Sequence, residues 1–372
     1  MGGAVRIFAL NSDTQFLRFF YEALTRLLAS ECYYLVHKFK MARMEMKTSL
    51  SFIIFASLST ALLIPAHAGG PGTSGGMTLM ESAAARPMSL GEAFSASMDD
   101  ISGFAYNPSS LGSLKSSQAS FVYRSGMADD SFGQFMIGSP LKSGGLGLSV
   151  GYFNGGKIDL FDGENQRRVT VQKDIAIALG YAFHLGLLNL GVSGKYLSSN
   201  LAEEKTATAY AADAGFQLPL NSRVQFGSSV QNIGTKLKFN EEGDNLPRLA
   251  RSGISVLIIP GRSAVRFMID GVCDLNESKI YPAVGLETSF GPLSLRAGYK
   301  GNNGLNQFSF GTGIAISRYS FDYSFGMVDR LDSMHMASIS MKFGSSKEKD
   351  ELSQRKTNAE TVLTNNWRME AQ

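Results

Sequence analysis

Six ionisable residues, Arg266, Asp270, Glu287, Arg296, Lys300 and Asp322, lie in stretches where every second residue is apolar. Each falls on the side opposite the apolar one. Charges in that position are tolerated only if they pair with one another or meet water. Glu287 and Arg296 lie on neighbouring predicted strands, where they can bridge. Two kinds of chemistry suit the set: a structural lattice that packs a narrow polar interior, or the lining of a substrate path.

A second group lies in DDISGFAYNPSSLG, residues 99–112. Asp99 and Asp100 are placed to cap the turn that follows, because a carboxylate accepts hydrogen bonds from unpartnered N–H groups. Asn107 ahead of Pro108 favours a turn in which the side chain bonds its own backbone, and Tyr106 puts an aromatic before it. The segment reads as a compact, turn-rich plug first and as a ligand gate second.

Catalytic chemistry finds little support. Gly147-Leu148-Ser149-Val150-Gly151 matches G-x-S-x-G but sits inside a predicted strand with no helix after it, so a nucleophile elbow cannot form. His184 and His335 fall at strand ends without a ligand-spaced partner, and His37 and His67 precede the expected mature chain. No catalytic residue, metal site or cofactor is expected.

The elements that must position these residues are strands. In DIAIALGYAFH, Ile175, Ile177, Leu179, Tyr181 and Phe183 share one face, and Ala176, Ala178, Gly180, Ala182 and His184 share the other. LNLGVSGKY and YSFDYSF repeat the split. Fourteen such segments run from 118 to 343, and tight links such as SPLKSGG, HL and FGPL alternate with longer polar ones such as NGGKIDLFDGENQRRVT and SNLAEEKT. Short turns on one rim and long loops on the other describe an outer-membrane barrel, with the short turns periplasmic. A soluble sandwich also alternates. The aromatic-rich apolar face, the Gly, Ala and Ser opposite it and the even strand count favour an all-β transmembrane antiparallel barrel.

Composition agrees: 40 Gly and 25 Phe accompany a net charge of only +3, which gives no reason to expect nucleic acid. From Met46, MKTSLSFIIFASLSTALLIPAHAGG has the basic start, apolar run and Ala66-His67-Ala68 site of a secretory leader. Residues 1–45 read as a mis-assigned extension, 46–68 as the leader cleaved after Ala68, 69–117 as the plug, 118–344 as the barrel and 345–372 as a polar tail. Only Cys273 then remains, so no intramolecular disulfide forms.

The run Gly91, Ala93, Phe94, Asp99-Asp100, Asn107-Pro108 and Leu111 resembles the N-terminal signature of PorV/PorQ-family outer-membrane proteins and, more distantly, the plug of the fatty-acid transporter FadL. VQNIGTKLKF, LPRLARSGISV, LSLRAGYKG, FGTGIAI, YSFDYSF and the closing SISMKFG follow in the family's order. Tyr106-Asn107-Pro108-Ser109 stands where many relatives have Trp-Asn-Pro-Ala, and the tail after Gly344 is another departure. The resemblance implies a non-enzymatic barrel partnered by secretion-system proteins or secreted cargo in type IX export. The alternatives are a FadL-like channel for a hydrophobic ligand and a structural barrel set in outer-membrane lipid.

Overall fold

The computed structural model describes residues 74–126, 129–162, 165–301, 306–329 and 333–344. The expected leader, the segment ahead of it and the polar tail lie outside the described residues.

Among the described residues sixteen strands follow the plug: β1 (Ser117–Ser125), β2 (Ser131–Leu141), β3 (Gly144–Asn154), β4 (Lys157–Asp162), β5 (Asn165–Thr170), β6 (Gln172–Leu185), β7 (Leu188–Leu201), β8 (Lys205–Pro219), β9 (Val224–Gly234), β10 (Leu249–Ile259), β11 (Ser263–Asp274), β12 (Lys279–Phe290), β13 (Leu293–Lys300), β14 (Gln307–Ile316), β15 (Tyr319–Val328) and β16 (Met334–Phe343). All but β4 and β5 form one closed antiparallel barrel in sequence order, with β3 pairing β6. The seam joins β1 to β16 in unbroken register from Ser117↔Phe343 to Ser125↔His335. Closure leaves no free edge, which satisfies the backbone without water.

Period-two sequence sets which side chains face out. Phe121, Leu179, Phe310, Phe321 and Ile339 are exposed, whereas Ser193, Asp270, Ser309, Asp322 and Ser338 point inward and are buried. In water this aromatic-rich exterior would be an apolar patch far beyond what a soluble monomer shows. Among the described residues no helix is long and apolar enough to cross a membrane.

Two loop expectations change. The connector NGGKIDLFDGENQRRVT is not a plain loop, because β4 and β5 pair across it as a separate hairpin from Lys157↔Thr170 to Asp162↔Asn165. SNLAEEKT shrinks to a turn at 202–204 between longer strands, with β7 and β8 paired up to Leu201↔Lys205. In both, hydrogen bonding carries the ladder past the point where apolar alternation stops, a continuation that period two cannot register.

The plug runs the height of the lumen. Ser74 bridges Asn245 at the long-loop rim, and Asn276 donates to its hydroxyl at 2.8 Å. The chain descends past a short helix (Ala85–Ser89) and two helical turns, Ile101–Ala105 and Pro108–Ser113, into β1. Its core is Leu90, Phe94, Ile101, Phe104, Tyr106, Leu111 and Leu114, packed on Met136, Ala182, Met268 and Ala283 of the wall. Wall glycines permit the close fit: a Cβ on Gly191 would lie 2.2 Å from the Ser109 nitrogen, and one on Gly298 2.1 Å from that of Gly91.

Candidate functional site

The inward charges form a network with the plug. Glu287 of β12 and Arg296 of β13 are register partners, and their side chains meet at 2.7 Å. Arg296 also reaches Asp322 at 2.7 Å. Arg86 of the plug completes the cluster, bonding Glu287 at 2.7 Å and Asp100 at 2.6 Å. Lys300 pairs with Glu92 at 2.6 Å. Asp270 instead accepts from the Phe94 and Ser95 N–H groups at 3.0 and 2.9 Å. Arg266 stands opposite Glu287 in register but donates to the Ser255 hydroxyl at 3.0 Å. Five of the six predicted charges thus hold the plug or the group that grips it. Arg266 borders the Glu287 cluster and bonds the wall, whereas Asp270 grips the plug away from that cluster.

The plug residues divide their roles. Asp100 is an N-cap: its carboxylate accepts from the Ser102 N–H at 2.8 Å. Burial works against its charge, yet Arg86 and the Ser102 N–H outweigh burial and hold its carboxyl below the usual range. Asp99 does not cap that turn, which corrects the sequence-based expectation. Its backbone has φ 55°, which turns the carboxylate toward the Lys115 N–H at 3.0 Å and Lys342 at 3.1 Å.

Asn107 caps the second turn, with Pro108 at its first position. Its Oδ1 accepts from the Ser109 N–H, while Nδ2 lies 3.0 Å from the carbonyls of Ser95 and Phe216 and 3.3 Å from that of Ser228. A side chain expected to bond its own turn therefore also ties the plug to β8 and β9. Tyr106 stands between Phe94, at 5.7 Å between ring centroids, and the Arg251 guanidinium at 5.2 Å. Burial and the nearby Glu92 push its phenol well above the ordinary value.

Several residues with comparable roles were not singled out from sequence. Arg124 grips Glu81 and Asp130, and Lys195 meets Asp213 at 2.8 Å. Arg251 of β10 bonds Gln231 at 2.9 Å. Strand parity places Arg124, Lys195, Asp213 and Arg251 inward, so that signal was present. Glu81, Arg86 and Glu92 lie in the plug, which has no period to read.

Two spaces flank the plug. One, of ≈ 50 Å³, lies among Leu79, Phe104, Phe132, Ala176 and Lys195. Beside it Leu197, Ala207, Ala209 and Ala211 make an apolar inner strip, covered by Leu79 and by Leu237, Phe239 and Leu246 of the β9–β10 loop. The other space, of ≈ 230 Å³, opens toward the short turns between the plug and the β12–β16 wall, among Arg86, Glu287, Ser294, Asp322, Ser338 and Lys342.

The G-x-S-x-G residues lie within β3, where Ser149 accepts from Gln134 at 2.7 Å. His184 meets Asn189 at 2.6 Å and His335 meets the Tyr323 hydroxyl at 2.7 Å. Among the described residues no cluster of His, Cys, Asp and Glu is arranged to hold a metal.

No protein-family model matches this chain. No curated protein matches it in sequence. Solved structures do match in fold. A deltaS2 mutant of the TodX monoaromatic hydrocarbon channel aligns with TM-score 0.51 and 14% identity over 71% of this chain and 99% of its own. The P. putida toluene transporter TodX aligns with TM-score 0.50 and 11% identity over 68% and 98%. At that identity the likeness is one of fold: this chain is similar to TodX in being a closed barrel of this architecture.

Proposed function

We propose that this protein is an outer-membrane channel for hydrophobic small molecules, with the short turns in the periplasm. The observation that carries the reading is the apolar inner strip of Leu197, Ala207, Ala209 and Ala211, which joins other apolar wall residues such as Met136, Phe132 and Met268 in a lumen that also carries Ser, Asn, Gln and paired charges. The interior of a water-filled porin is polar throughout. The fold likeness to a monoaromatic hydrocarbon channel supports the same reading. Small inward residues leave room for a ligand once Leu79 or the β9–β10 loop yields.

The secretion role implied by the PorV/PorQ resemblance has no support in the comparisons. Its natural surface is the β4–β5 hairpin, where Ile158 and Phe161 are exposed. Native mass spectrometry of the protein extracted from its own membrane in mild detergent separates the two. A co-purifying lipid-like or hydrocarbon-like molecule is the expected result. A stoichiometric protein partner with no small molecule would overturn the channel in favour of export.

A further inference from the structure

We propose that the space between the plug and the β12–β16 wall is the channel's periplasmic exit, and that it passes small uncharged molecules carrying a hydrogen-bonding group while rejecting ions. The proposal deepens the channel reading and rests on it.

The plug fills the lumen unevenly. On the β2–β8 side Ile101, Phe104, Leu111 and Leu114 press into a wall of small residues, and a Cβ on Gly147 or Gly180 would lie 2.5 or 2.3 Å from Leu111 or Phe104. On the β12–β16 side Leu90 and Gly91 also press close on Gly285 and Gly298, but nearer the short turns, beside Gly313 and Ala315, the plug presents Ala84, Arg86, Asp99, Asp100 and Ser102, and ≈ 230 Å³ remains.

Every charge of the lining is paired, although four carboxylates face three cations. Its three cations, Arg86, Arg296 and Lys342, and its four carboxylates, Asp99, Asp100, Glu287 and Asp322, are all joined in ion pairs between 2.6 and 3.1 Å. An ion that enters loses water and finds no uncommitted opposite charge in return. What the space offers instead is hydroxyls: Ser102, Ser289, Ser294, Ser320, Ser338 and Ser340 line it. Each hydroxyl can donate and accept, which suits a neutral alcohol, amide or carbonyl and does not favour either sign of charge. The substrate this exit fits is therefore a small neutral molecule with one polar group on an apolar body.

Cysteine accessibility tests the selectivity. In a background with Cys32→Ser and Cys273→Ser, Ser340→Cys and Ser294→Cys place single thiols in the space, and Arg223→Cys in the exposed β8–β9 turn serves as reference. Three methanethiosulfonates of similar size carry a hydroxyethyl, a trimethylammonium or a sulfonate group. The cysteine thiolate attacks the reagent's sulfenyl sulfur, a disulfide forms, and methanesulfinate leaves. Normalised to the reference thiol, both ions are expected to react about tenfold or more slowly than the neutral reagent. A local potential alone would slow one ion and speed the other. Either ion matching the neutral rate at both positions overturns the selectivity.

The capped Ser340→Cys protein then reports the route. Uptake of benzyl alcohol into cells expressing it should fall to background while uncapped protein transports, and undiminished uptake sinks the exit assignment. If the wild-type barrel transports neither toluene nor benzyl alcohol, the channel reading itself fails, and the modification rates still judge the selectivity of the space.

Discussion

Asn107 shows how much of the plug's attachment rests on single side chains. Asn107→Ala removes the acceptor for the Ser109 N–H and takes one donor from the carbonyls of Ser95, Phe216 and Ser228, of which Ser95 keeps Gln217. A buried unsatisfied group costs about 1–3 kcal/mol. The variant should unfold at measurably lower denaturant, and limited proteolysis should cut first between 95 and 115. Unchanged protection there would show that packing alone holds the plug. Glu287 is the heavier case, since Arg86 and Arg296 both depend on it. Glu287→Ala should destabilise the barrel by about 3–5 kcal/mol, as removal of one partner from a buried pair does. Asp100 gives a pH signature. Its folded pKa lies below the unfolded value, so its contribution is present above about pH 4 and is lost as pH falls through the folded value. The acid limb of an unfolding titration should flatten in Asp100→Asn; an identical limb would assign that loss to other carboxylates.

The strands were legible because a barrel in lipid imposes period two on nearly every element. All fourteen barrel strands lie where alternation placed them, and the inward side of Arg296, Glu287 and Asp322 follows from counting parity. The plug was legible only as a list of turn formers. Asp99 and Asp100 are adjacent and chemically identical, and only the left-handed backbone of Asp99 decides that one caps and the other reaches Lys115 and Lys342. The β4–β5 hairpin was missed because its residues, polar at most positions, lie beyond the apolar belt. It pairs chiefly with itself and is exposed at Ile158, Asp159 and Arg168, so replacing Ile158–Arg168 with a short Gly-Ser link should leave the barrel's thermal stability within about 0.5 kcal/mol, the usual scale for exposed changes. A drop well beyond that in a melting scan would mean that the hairpin braces β3 and β6.

For the whole molecule, the lipid-facing belt and the closed ladder make one cooperative unit. Boiling in detergent should shift its mobility on a gel, and a mobility that never changes would contradict a closed barrel. Leu179 is an outward residue of β6 and is 57% exposed. Leu179→Arg should cost about 2–4 kcal/mol if that position lies at the bilayer midplane. The continuity of the plug with β1 bears on assembly. The same chain that crosses the lumen from Ser74 at one rim to Ser117 at the other becomes one side of the seam. A ring already zipped from Ser117↔Phe343 to Ser125↔His335 would have to be threaded by its own leading end. The simpler order wraps the nascent sheet around a segment already lying in its concave face and shuts the seam last, so the plug would serve as the mandrel on which the cylinder is rolled.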